Sequence, residues 1–297
     1  RIFLADGLAG LKTYNSSDLS DIEQIGILQP DEIYFPGFAS ARMGSYLIGA
    51  GYHLSVVDVD DPSQPRLVAT EGYGYFRDIV ILGSHAFVAA DSVGVQVYDL
   101  SSPESPRLAG AIATDGSARQ VILSNHHLLS ISDTVEVFDV SSPTEPQLVT
   151  TIDHHGTAHL TADDRLLVGN SDGFTMIDAS DLTDPSVFGV LATDWNDPGS
   201  TVVGVTSHGD NAYVTTYAAP PWRGGFHVVD LANPQSPVPL GSVALDGPAF
   251  DFIVRRDTVV GGMYKGEEFS GNLVAIDVTD PTRPFVIAEI DVGVPDP

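Results

Sequence analysis

One phrase recurs through this chain: an apolar run closed by an aspartate, followed by a turn rich in proline. It stands as HLSVVDVDDPSQPRLVA, GVQVYDLSSPESPRLAG, TVEVFDVSSPTEPQLVT, GFTMIDASDLTDPSVFG, GFHVVDLANPQSPVPLG and NLVAIDVTDPTRPFVIA, with a divergent first copy, GLKTYNSSDLSDIEQIG. The residue that closes each run is Asn15, Asp58, Asp99, Asp139, Asp178, Asp230 or Asp277, at spacings of 43, 41, 40, 39, 52 and 47 residues. A unit of about forty residues is the length of one four-stranded propeller blade.

Inside each unit the apolar period is two, and nothing longer than a turn or two carries helical spacing. In the third copy RDIVIL, AFVAAD, GVQVYD and PRLAGAI form four short β-rich runs separated by turn residues. We label such strands A to D, with the marker aspartate at the end of strand C. Several strands are apolar on both faces, as expected where blades stack face to face. The expected fold is therefore all-β: one seven-bladed β-propeller domain over residues 1–297, built of four-stranded antiparallel blades.

The marker strands, LSVVD at 54–58 and FHVVD at 226–230, with the continuations DVSSPTEP and DVTDPTRP, resemble the LVIVD repeat over nearly the whole chain. The resemblance implies a β-propeller of the kind common in secreted or surface-exposed microbial proteins, and it implies no catalytic residues. The first copy departs from the pattern, with Asn15 at the marker and no strand A before RIFLAD, so the first blade is expected to be incomplete in this segment. Because an open ring would expose strand edges, the native chain is expected to be longer.

Charge narrows the partners. Thirteen Lys plus Arg against forty Asp plus Glu give a net charge of -27, which repels nucleic acid and anionic membrane surfaces. The 43% of apolar residues can still build a sizeable core. Neither a basic apolar leader nor an uninterrupted apolar run of about eighteen residues occurs. The chain has no cysteine, which removes disulfides, thiol catalysis and cysteine-held metals.

The repeated aspartates have a structural explanation: an Asp at the end of a strand, followed by Ser, Thr or Asp and then Pro, accepts local backbone N–H bonds. Asp58, Asp60 and Asp61 could attract a weakly held calcium, but the spaced ligands and glycine of an EF-hand loop are missing. No cofactor is expected otherwise.

Function is sought where the copies differ. In an antiparallel meander the D-to-A and B-to-C connections share one face, and the Asp-Pro turns and short A-to-B turns share the other. The first face carries the insertions QPDEIYFPGFAS, ATDWNDPGST, TTYAAPPWRGG and GGMYKGEEFSGN, which hold Trp195, Tyr217, Trp222 and Tyr264. Large aromatics in exposed loops point to contact with a ligand or to packing of the loop on itself.

About twenty residues past successive markers stand Arg77, Arg119, His159 and Asp251, with Arg42 for the longer second unit. They are expected at the mouth of the axial channel, either as an anion pocket or closed by pairing with Asp78, Asp115 and Asp251. His154, His155 and His159 form the one histidine cluster and are weak metal candidates, since their spacing suits zinc best on a helix. His159 with Asp251 is the acid–base pair of an enzyme reading.

The expected function is a non-catalytic binding or interaction module of an exported or cell-surface protein, periplasmic location included. Its loop-rich face would bind a glycan, a peptide or a protein domain, another domain of the same longer chain among them. The alternatives are a hydrolase or metal-dependent enzyme with a pocket at the channel mouth, and a structural subunit of a surface array or filament.

Overall fold

The computed structural model describes residues 1–5, 10–15, 23–29, 39–192, 200–218, 223–265 and 270–291, apart from the side chains of residues 5, 251, 264, 265, 270, 271 and 291. The described residues pack as two compact units, one within 1–153 and the other within 154–291. Every described element is a strand or a turn, and the sheets are the seven blades of a β-propeller.

The first unit holds β1 (Ile2–Ala5), β2 (Leu11–Asn15) and β3 (Glu23–Leu28), then β4 (Ala39–Met43), β5 (Tyr46–Ala50), β6 (Leu54–Asp58) and β7 (Arg66–Glu71). It continues with β8 (Asp78–Leu82), β9 (His85–Ala89), β10 (Val95–Asp99) and β11 (Arg107–Ile112), and with β12 (Gln120–Ser124), β13 (His127–Ile131), β14 (Val135–Asp139) and β15 (Gln147–Ile152). Among the described residues the first sheet has three strands, β1-β2-β3, and the other three are four-stranded meanders in sequence order.

The second unit holds β16 (Thr157–Leu160), β17 (Arg165–Gly169), β18 (Gly173–Asp178) and β19 (Ser186–Ala192), followed by β20 (Thr201–His208), β21 (Asn211–Ala218), β22 (Arg223–Asp230) and β23 (Val238–Leu245). The last sheet is β24 (Ala249–Arg255), β25 (Thr258–Lys265), β26 (Ser270–Asp277) and β27 (Phe285–Asp291). In both units the first strands of consecutive sheets pack on each other, so strand A is the crowded side of each blade.

The core lies in the layers between blades. Ile48, Leu54, Val56, Phe76, Val88 and Tyr98 join the second blade to the third; Phe174, Met176, Val202, Val214 and Val229 join the fifth to the sixth. Burying a side chain of this size contributes roughly 1.5–3 kcal/mol, and strands apolar on both faces do this twice along their length.

The marker aspartate closes its own turn. Oδ1 of Asp99, Asp139, Asp230 and Asp277 each accepts the backbone N–H two residues on at 2.8 Å, and Asp58 and Asp178 do the same at 3.0 Å. The Ser101, Ser141 and Ser180 donors hold the carboxyls of Asp99, Asp139 and Asp178 below the usual carboxylate range. The next residue ties the turn to the A-to-B turn of the same blade, as in Val59 N to Ser45 O at 2.8 Å and Leu100 N to Ser84 O at 2.7 Å.

The closed turn then docks on the preceding blade. A Cβ on Gly26, Gly189 or Gly241, all in strand D, would collide with the carbonyl oxygen of Pro62, Pro234 or Pro281 in the turn that follows. Strand D reaches this position through a register shift against strand C that occurs at the same place in all seven sheets, for example between Val56 and Val57 and between Val137 and Phe138. Such a bulge bends the outer edge and blunts it against further strand pairing.

Gly189→Ala is expected to destabilise the protein by about 1–3 kcal/mol, the cost of overpacking a filled contact. Gly262→Ala, in a strand site with open space around the added Cβ, is expected to stay within about 0.5 kcal/mol. Urea unfolding of both variants beside the parent protein measures the difference.

Candidate functional site

The best-defined exposed feature of the first unit is an aromatic patch. It is built by two short connections on the D-to-A and B-to-C face: Gly51–His53, between β5 and β6, and Gly72–Arg77, between β7 and β8. Gly72 has a φ of +68°, which favours glycine, and a Cβ there would strike the Tyr98 hydroxyl. Phe76, 1% exposed, anchors the loop in the core and meets Tyr98 edge-on at 6.1 Å. Gly74 N to Tyr52 O at 3.0 Å and Phe76 N to Gly51 O at 2.8 Å clip the two connections together, and His53 Nδ1 lies 2.6 Å from Gly72 O.

That frame turns three tyrosines outward. Tyr73 is 80% exposed and Tyr75 53%, while Tyr52 is half-buried between them. The Tyr52 ring is nearly parallel to Tyr73 at 6.3 Å and edge-on to Tyr75 at 5.1 Å, with the Tyr52 and Tyr75 hydroxyls 3.4 Å apart. His53 lies 5.4 Å from the Tyr73 ring. Directly after the loop, Arg77 donates from Nε and Nη2 to Asp91 Oδ2 at 3.0 and 2.7 Å. The Arg77 guanidinium and the Ser117 hydroxyl hold the Asp91 carboxyl below its usual range.

The residues expected at a channel mouth do not share one level. Arg77 and Arg119 occupy equivalent places, each just before a strand A, and Arg119 Nη2 pairs with Asp133 Oδ1 at 3.5 Å as Arg77 does with Asp91. Both arginines are thus paired, Arg77 with Asp91 and Arg119 with Asp133. Asp78 accepts Val121 N of the next blade at 2.9 Å. Arg42 corrects the expectation: it stands near the end of β4, where Nε donates to Gly44 O at 3.0 Å and the guanidinium lies 5.8 Å from the Phe3 ring. Arg42 is the fourth residue of its strand, whereas Arg77 and Arg119 precede theirs.

His159 lies inside β16, with Nε2 3.0 Å from Ser207 Oγ, and burial pushes its pKa below the usual value. The backbone of Asp251 belongs to β24. His154 Nδ1 is buried without a hydrogen-bond partner among the described residues, and His155 contributes its carbonyl to Asn170 Nδ2 at 3.1 Å. Among the described residues no three His, Asp or Glu side chains gather in a metal-holding group, His154, His155 and His159 included. In the acidic turn, Asp58 is engaged by Asp60 N and Arg66, and Asp61 by Ser63. Tyr217 is half-buried near the end of β21 and Tyr264 belongs to β25, whereas Trp195 and Trp222 lie outside the described residues.

A second concave site lies in the sixth blade. A cavity of about 160 Å³ is lined by Ser200, Thr216, Arg223, Gly225, His227 and Ser242, among others. Thr216 Oγ1 and His227 Nε2 are 3.0 Å apart, and burial pushes the His227 pKa down to about 4, so the imidazole is neutral at pH 7. A Cβ on Gly225 would sit 2.7 Å from both atoms. His227 is the third residue before its marker, a place taken in the other copies by Lys12, Ser55, Gln96, Glu136, Thr175 and Val274.

These blades define a β-propeller. The LVIVD repeat model matches residues 44–70, 73–114 and 204–244, so these stretches of the propeller carry LVIVD repeats. No curated protein matches the sequence. Among solved structures, a candidate 6-phosphogluconolactonase from Bacteroides fragilis is similar at 12% identity and a TM-score of 0.79, over 98% of this chain and 94% of that one. The periplasmic gluconolactonase of Pseudomonas aeruginosa is similar at 11% identity and 0.77, over 98% and 96%. A hypothetical selenium-binding protein from Sulfolobus tokodaii gives 12% and 0.68, over 98% and 90%. At such identities the likeness is one of fold.

The depressed pKa of His227 has a sign. The unfolded chain takes up a proton near pH 6.5 that the folded chain refuses until about pH 4, so the stability contributed by the neutral imidazole is complete above about 6.5 and lost as pH falls toward 4. The span corresponds to roughly 3 kcal/mol. Urea unfolding at pH 7 and pH 4.5 is expected to show a smaller acid loss for His227→Gln than for the parent protein.

Proposed function

We propose that this protein is a non-catalytic binding module of an exported or cell-surface protein, and that its loop-rich face engages neutral carbohydrate through Tyr52, Tyr73 and Tyr75. The observation that carries the reading is a tyrosine trio that is exposed yet held by backbone hydrogen bonds and a buried phenylalanine. A large aromatic displayed on a fixed loop retains little entropy to lose on binding, and its ring offers an apolar face beside a polar hydroxyl. Pyranose rings present the matching surface, C–H groups on one face and hydroxyls at the edge.

The Arg77–Asp91 pair next to the patch supplies a fixed donor and acceptor for neighbouring hydroxyls. A net charge of -27 disfavours acidic glycans and phosphate-rich partners. The exported or surface setting rests on the resemblance of the repeats to secreted microbial propellers.

An enzyme is the second reading, favoured by the likeness in fold to two gluconolactonases. Against it stands the environment of His159, buried and engaged by Ser207.

Tyr73→Ala and Tyr75→Ala are expected to weaken binding to neutral oligosaccharides at least tenfold, roughly one stacking contact each, while leaving the melting temperature unchanged. A glycan array followed by calorimetry on the best ligand measures this. Binding that survives both substitutions, or that is confined to peptides, would overturn the carbohydrate reading. Incubation with glucono-lactone is expected to give no ring opening above the buffer rate, and acceleration would replace the binding module with an enzyme.

A further inference from the structure

The cavity of the sixth blade stands apart from the tyrosine patch, in the other compact unit, and its chemistry is different. Its wall is made by one blade: Thr216 from β21, Arg223, Gly225 and His227 from β22, and Ser242 from β23, with Ser200 preceding β20. Ser200, Thr216 and His227 are 4%, 5% and 8% exposed, so their polar atoms are held at fixed depth rather than swept by solvent. Arg223 stands exposed at the start of β22, and among the described residues no carboxylate pairs with its guanidinium.

Gly225 keeps the site open. It faces the Thr216–His227 pair across β21 and β22, and any side chain would fill the space in front of both polar atoms. The described lining contains hydroxyls, an imidazole and a guanidinium, and no carboxylate. A concave wall of donors with one cation at its rim is complementary to an anion with planar geometry.

We propose that this cavity is a binding site for a small carboxylate, with Arg223 taking the carboxylate oxygens and Thr216, His227 and Ser242 the rest of the molecule. The volume of about 160 Å³ sets the size, room for roughly five waters at about 30 Å³ each. A monocarboxylate of two to four carbons fits it. The neutral imidazole adds a donor or an acceptor without a second charge, so one negative charge on the ligand is balanced by one guanidinium.

The test is titration of the full chain with acetate and with lactate, followed by calorimetry and by the imidazole resonances of His227. Saturable binding is expected, weakened at least tenfold in Arg223→Gln and unchanged in Arg255→Gln, an exposed arginine outside the lining. Thr216→Val is expected to weaken lactate as well, and it tests the site should Arg223→Gln fail to fold. No saturation up to roughly 100 mM, well beyond the roughly millimolar Kd of a ligand of a few atoms, would overturn the proposal. Equal weakening in Arg223→Gln and Arg255→Gln would do the same, since it would reveal diffuse attraction to positive charge. Neither outcome bears on oligosaccharide binding by the tyrosines, so the two sites stand or fall separately.

Discussion

Six of the blades turn on a small hydrogen bond, from the backbone N–H two residues beyond the marker aspartate to that aspartate's carboxylate. By itself such an exposed bond is weak. Its importance is geometric: it closes the C-to-D turn into one shape, and that shape is what strand D of the preceding blade packs against, at a distance only glycine allows in three of the joints. The apolar layers between blades supply the larger energy but little direction, since Val, Ile and Leu pack acceptably in several registers. The turn fixes which register they adopt.

A frame of this kind leaves chemistry few places to stand. The Asp-Pro face is occupied by its own hydrogen bonds, and strand interiors are committed to the layers between blades. What remains in each unit is the end of the blades away from the Asp-Pro turns, where connections are free to differ; the tyrosine patch stands there in the first unit, and the cavity is lined from that end of the sixth blade in the second. They arise in different ways. The tyrosines sit on connections of ordinary length, pinned by a glycine of positive φ and a buried phenylalanine. The carboxylate cavity is made inside a blade, by polar residues at positions that other copies also use for polar groups, among them Glu136, which is 6% exposed and accepts Asp115 N at 2.9 Å.

The repeat made the architecture legible in the sequence, and with it the turn role of the aspartates and the pairing of Arg77 and Arg119 with carboxylates. The partners in those pairs were not legible, because Asp91 and Asp133 reach the arginines through strand register rather than through proximity in the chain. Arg42 was misplaced because the start of β4 was not legible in the long connection that precedes it. The tyrosine patch was missed because loop length was used as the signal for function. YGY in a short connection, beside GYH in another, was present in the sequence and pointed to the same face. His227 was hidden inside the marker strand, at a position that most copies fill with a polar residue, so nothing in the repeat set it apart.

Where a strand D glycine meets the turn of the following blade, the joint is split between two successive copies of the repeat. No single copy of about forty residues contains a whole joint, so an excised copy would carry two unmatched halves and little reason to fold. The unit that can be duplicated or lost without damage is therefore defined by the joint rather than by the strands. A change in blade number preserves the fold only when a strand D glycine and the turn that meets it are gained or removed in step. The spacing between markers is free to stretch, as it does from 39 to 52 residues here, provided the extra chain enters on the face away from the joints.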